Sequence, residues 1–177
     1  MKIERLEALY GRLLDAAALC GCALLFLMML SICADVLLRN VPLIPELRGV
    51  PANNDLTEYA LYLMTLLTAP WLLRRGQHIR VDIVLRVIPP EIAWACEWIV
   101  DVAALLCCLI VGWYSAQSTI DSYQSGALTI KTLITPEWWS LAPLPVTFAL
   151  LAIEVLFRMR RLSLAPRGPR DDAVSSA

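Results

Sequence analysis

The sequence predicts an all-α integral membrane protein: four transmembrane helices, both termini cytoplasmic, and an amphipathic arm helix at the membrane surface between helices two and three. Three observations carry this. The 177 residues are 59% hydrophobic and their mean hydropathy is +0.64, too apolar for an ordinary soluble domain of this size. Uncharged residues gather into four runs, 16–34, 59–73, 102–120 and 138–153. Extended by up to a turn at each end, each approaches the roughly 20 residues that span about 30 Å of hydrocarbon.

The third observation is where the cations fall. Lys2, Arg5 and Arg12 precede the first span; Arg74, Arg75, Arg80 and Arg86 lie between the second and third; Arg158, Arg160, Arg161, Arg167 and Arg170 follow the fourth. Arg39, Arg48 and Lys131 are left for the other side. Cytoplasmic loops carry the excess of Lys and Arg, which puts both termini and the middle loop inside. The net charge of −1 is uninformative by itself, and no nucleic-acid partner is expected.

In chain order, residues 1–12 are amphipathic, with Ile3, Leu6, Leu9 and Tyr10 at helical spacing. The apolar run that follows exceeds a signal peptide's core of about 7–15 residues, so an uncleaved anchor is expected. Span one, about 13–38, has charges only near its ends, where Asp15 lies three residues from Arg12 and Asp35 four before Arg39; each carboxylate has a cation within a turn. Ala17 and Gly21 give a small-x-x-x-small spacing that permits close helix contact. The first external loop, with Pro42, Pro45, Gly49 and Pro51, should be irregular.

Span two, about 56–73, opens on Asp55-Leu56-Thr57-Glu58, an arrangement like a capping box. Glu58 is then either a helix cap or a packing and interface contact. Pro70 is expected to bend this helix. The chain leaves the bilayer at Arg74-Arg75-Gly76. Over 77–88, His78, Asp82 and Arg86 recur every four residues and form one polar stripe on a helix. Ile79, Ile83, Val84, Val87 and Ile88 form the apolar face, so the arm lies in the interface rather than crossing it. Residues 78–83 also alternate as a strand would, but a lone strand beside lipid leaves backbone groups unpaired.

Span three, about 92–118, is bracketed by Trp94 and Trp98 at one end and Trp113-Tyr114 at the other, as two aromatic belts would be. Asp101 has no cation three or four residues away, and Glu97 one turn back carries the same charge. It is expected to meet a partner on another helix or chain, unless it sits shallow in water; a transported-proton site is the third possibility. A polar connection, 121–137, leads to span four, about 138–158. There Pro143 and Pro145 should kink the outer half, and Glu154 and Arg158 form an i, i+4 pair. Residues 1–164 thus form one membrane domain, and 165–177, rich in Pro, Arg, Asp and Ser, a disordered cytoplasmic tail.

Signs of catalysis are lacking. All six cysteines lie in or beside spans and read as small packing residues. One histidine is too few for paired haem ligation. With no phosphate-binding glycine loop, zinc set or nucleophile elbow, neither an enzyme nor a cofactor is expected. The middle of every span also lacks an ionisable residue, whereas ion-coupled carriers place such groups near the midplane. The pattern is that of a scaffold more than a pump.

The chain resembles the small four-helix membrane subunit of tripartite ATP-independent periplasmic (TRAP) transporters, the DctQ-like family. The residues that carry the resemblance are Glu58, then Leu73-Arg74-Arg75-Gly76-Gln77-His78-Ile79-Arg80-Val81-Asp82, then Pro89-Pro90. Asp35 with Arg39 and Pro136 with Trp138 add to it, over roughly residues 10–160. The proline-rich first loop is longer than in many relatives. Membership implies a bacterial inner-membrane platform for a large membrane subunit that holds the substrate and coupling-ion sites, with a periplasmic solute-binding protein delivering the solute, commonly an organic acid. Glu58, Arg74, Arg75, Gly76, His78, Asp82 and Asp101 are then expected to supply polar partner contacts. The competing classes are a stand-alone proton-coupled exporter acting as a homodimer through Glu58 or Asp101, and a four-helix membrane oxidoreductase.

Overall fold

A computed structural model describes residues 2–40, 52–76 and 89–164, which are mostly helical. The elements are α1 (Lys2–Asn40), α2 (Asn53–Arg74), α3 (Pro90–Ser125), β1 (Leu128–Ile130), β2 (Ile134–Pro136), α4 (Trp138–Leu141) and α5 (Pro143–Leu164). Among the described residues, three helical stretches are long and apolar enough to cross a membrane: Arg5–Asn40, Ile92–Ser125 and Trp138–Leu164. The sequence led us to expect four. The difference is α2, whose 22 residues are diluted by Glu58, by tyrosines and threonines and by Pro70. The arm, with His78 and Asp82, lies outside the described residues, as do most of the first external loop and residues 165–177.

Local chemistry sets the helix ends. Helix α1 is rich in Leu, Ala and Met, strong helix formers. Helix α2 closes where Arg75 N–H donates to Trp71 O and Gly76 N–H to Leu73 O; Gly76 turns left-handed there, at φ 64°, a conformation only glycine adopts freely. Pro90 occupies the first turn of α3, where a missing N–H is harmless. Pro143 opens α5 one residue after α4 ends, and Ala142 between them keeps a helical backbone, so Trp138–Leu164 runs as one helical stretch.

Helix α1 packs along α2, α2 against α5, and α5 along α3, giving a strip in the order α1–α2–α5–α3. Small residues bring α1 close. A Cβ on Gly21 would stand 2.8 Å from Thr68 Cγ2, and one on Gly11 would stand 2.9 Å from an Arg74 guanidinium nitrogen. The close contact expected at Gly21 is therefore present.

Burial runs opposite to that of a soluble protein. The interior holds Leu14, Ala18, Ala93, Ala152, Val155 and Leu162 together with Asp55, Glu97, Asp101, Ser115, Thr147 and Glu154. Leu19, Leu27, Ile99, Leu106 and Ile110 meanwhile face outward. Polar groups pair inside while aliphatic groups face a medium as apolar as themselves, which is what a bilayer solvent selects. The cysteines correct one expectation. Cys20, Cys22, Cys33 and Cys107 are exposed rather than packed within the chain, and all six are free thiols.

Candidate partner interface and its polar anchors

At the arginine-rich end, the organising group is Glu154 on α5, fully buried. Arg74 reaches it from α2, Nη1 to Oε2 at 3.3 Å, and Arg161, two turns further along α5, donates to Oε1. The Arg74 guanidinium also donates to Glu7 O at 3.2 Å and lies 5.9 Å from the Tyr10 ring centroid. Gly11 leaves the space for it to pass α1. Tyr10 in turn donates its hydroxyl to Leu150 O at 2.7 Å, and Arg161 extends to the Glu7 carboxylate at 3.7 Å. Three helices are thereby tied through one buried carboxylate.

Asp101 finds its partner on another helix, as expected. Arg158 Nε of α5 stands 2.9 Å from its carboxylate, whose side chain is only 3% exposed. The shallow, water-exposed alternative is thereby corrected. This also corrects the expected Glu154–Arg158 pair: residues four apart on α5 each turn to a neighbouring helix, Glu154 to α2 and Arg158 to α3. Asp15 departs likewise, accepting from Trp71 Nε1 at 2.9 Å, while Asp35 does pair with Arg39 at 2.9 Å.

At the opposite end, the expected polar connection is a hairpin. Helix α3 runs on to Ser125, Gly126 turns left-handed at φ 64°, and β1 pairs antiparallel with β2, Ile130 opposite Ile134. Glu137 N–H closes its base onto Ala127 O at 3.0 Å. The hairpin is laid on the first turns of α2. Lys131 Nζ binds Glu58 at 2.6 Å, Leu133 N–H donates to Asp55 at 3.0 Å, and the Tyr59 hydroxyl meets Thr135 Oγ1 at 3.0 Å. One helical turn further on, Tyr62 donates to Ser140 O at 2.8 Å. The Asp55–Glu58 capping box is thus corrected: α2 starts at Asn53, with no side-chain cap on its first turn, because both carboxylates hold the hairpin instead. The Glu58 hydrogen bond raises the Lys131 ionisation above its ordinary value.

Of the remaining candidates, Arg75 is exposed and stacks 4.6 Å over the Trp71 ring, and Gly76 forms the turn that releases the chain from α2. His78 and Asp82 lie outside the described residues. The structure does not gather the described candidates into one site. Arg74 and Asp101 sit near one end, on separate ion pairs, and Glu58 sits at the other. Among the described residues, no group of His, Cys, Asp and Glu side chains could hold a metal ion. Sequence reasoning missed Glu7, Gly11, Arg161 and Lys131. Only Lys131 carried a signal, as the lone cation of its connection.

Residues 28–164 match the family described as tripartite ATP-independent periplasmic transporters, DctQ component. The chain belongs to the DctQ family. No curated protein matches it. The family is a transporter component rather than an enzyme family, and its members work with a large TRAP membrane subunit and a periplasmic binding protein. With its three long apolar helical stretches, this DctQ chain is a multi-pass membrane transport protein.

Proposed function

We propose that this DctQ chain is the stationary small subunit of a TRAP transporter. It scaffolds the large transport subunit during ion-gradient-driven uptake of a solute, an organic acid, delivered by the periplasmic binding protein. The observation that carries the reading is the distribution of charge along the strip. Every span is uncharged through its middle, and the ion pairs that bind the helices together lie toward the two ends. Such a body is built to be fixed and offers no polar midplane site for a coupled ion. Its apolar faces are free to bury lipid-exposed surface of a larger subunit.

In this reading α2 is the fourth span. Asp55 to Arg74 covers about 28 Å of helix, and α2 lies between α1 and α5 along its length. The arginine-rich end is cytoplasmic, with both termini, by the positive-inside bias. The arm at 77–88 lies along that surface, and Arg74, Arg75, Gly76, His78 and Asp82 hold or present it to the large subunit. Glu58 and Asp101 act by fixing the helices that the large subunit meets.

The test is gentle solubilisation of native membranes and capture through a C-terminal tag, with the co-purifying proteins identified by mass spectrometry. A stoichiometric, much larger multi-span protein supports the reading. Capture of this chain alone, under conditions that keep other membrane complexes whole, removes it. In the purified complex, His78→Ala and Asp82→Ala should weaken assembly or uptake while the binding protein captures solute as before. Unchanged uptake in both would rule out a role for the arm.

A further inference from the structure

The hairpin carries an apolar face that the scaffold reading does not use. Along α2, the residues that hold it are Asp55, Glu58 and Tyr59, spaced i, i+3 and i+4, and on the same side Tyr62 bonds Ser140 O of α4, just past the hairpin. They form one side of the helix, so the hairpin is laid along the flank of α2 rather than over its end. Strand residues alternate between faces. Thr129 and Thr135, opposite each other in the ladder, turn toward α2. Leu128, Ile130 and Ile134 turn away, at 59%, 82% and 68% exposed.

Helical rise fixes the height of this face. From Arg74 to Glu58 is about 24 Å of helix, and to Asp55 about 28 Å, so Lys131 and Leu133, bonded to those two carboxylates, sit close to one hydrocarbon thickness above the arginine-rich end. Tyr123 and Trp139, on the helices flanking the hairpin, are largely exposed, and tyrosine and tryptophan collect at this level of a bilayer. The unpaired strand edges can be hydrated there but not deeper. Three aliphatic side chains fall far short of the roughly 800 Å² that each partner buries in a stable protein interface. They suffice to enter a lipid interface.

We propose that the hairpin is a membrane-surface anchor, its Leu128, Ile130 and Ile134 seated among lipid headgroups and upper acyl chains while its threonine face grips α2. The strip would then be held at a fixed depth at this end, without help from any partner chain. The test places a photoreactive diazirine amino acid at position 130, 134 or 129 of the full chain, in vesicles of phosphatidylethanolamine and phosphatidylglycerol and in native membranes. Expected are phospholipid adducts at 130 and 134, several-fold above those at 129, in both settings. Crosslinks from 130 and 134 to another protein would overturn the anchor and make this face a protein contact. Reaction with water alone, or equal lipid labelling at 129, would also overturn it. Neither of the last two results bears on whether a large subunit co-purifies, so the scaffold reading stands or falls separately.

Discussion

The two ends of the strip are fastened by different physics. At the arginine-rich end, Glu154 and Asp101 are buried and each meets a guanidinium group from another helix. At the hairpin end, the Lys131–Glu58 pair is open to solvent, with side chains 37% and 62% exposed, and the hold comes as much from backbone and hydroxyl hydrogen bonds. A buried pair is hard to break because the surviving charge is left desolvated, whereas an exposed pair is easily replaced by water. One end is therefore a fixed joint and the other a latch. For a subunit proposed to stay still, the fixed joint lies at the end of the strip where α2 closes at Arg74.

The sharpest way to break that contrast is at the buried acids. Asp101→Ala or Glu154→Ala should destabilise the fold by about 3–5 kcal/mol, seen as a large drop in melting temperature in detergent. The double variant Asp101→Leu with Arg158→Leu should recover much of the loss, since both charges of that pair are removed together. If single and double variants fall equally, the ion pair is not what holds α3 to α5. Next in size is Gly21→Leu, where even the first side-chain carbon meets Thr68. Separating α1 from α2 should cost about 1–3 kcal/mol.

Smaller effects belong to the latch. Asp55→Ala removes the acceptor for Leu133 N–H and should cost about 1 kcal/mol, with faster amide exchange confined to the hairpin. Glu58→Gln should leave the melting temperature nearly unchanged and let the Lys131 ionisation fall back toward its ordinary value, as read by NMR titration. The sign follows from the raised Lys131 value. The Lys131–Glu58 contribution is complete below the ordinary lysine pKa and is lost as pH rises through the raised one. Parent and variant should therefore converge in strongly alkaline solution.

The same contrast explains what the sequence could disclose. Three long apolar helices were legible because uncharged runs are a linear property, as was the small spacing at Gly21. That Asp101 needs a partner was also legible, since an unpaired carboxylate near the bilayer is costly; which arginine supplies it was not. Arg158 looked committed to Glu154 because i, i+4 spacing is visible in the sequence, while the route of Arg74 across Gly11 to Glu154 joins three distant segments. Asp55 and Glu58 misled in the same way, for a local capping pattern was outweighed by a hairpin 73 residues further on. Local pairings can be read from spacing, but competition among helices decides which survive.

The most direct test of the scaffold claim is reconstitution with each component left out in turn. Vesicles holding the large subunit and this chain, with binding protein outside and an ion gradient imposed, should take up solute; omitting this chain should abolish uptake, and this chain alone should transport nothing. Gradient-driven transport by this chain alone, or full uptake without it, would contradict the account.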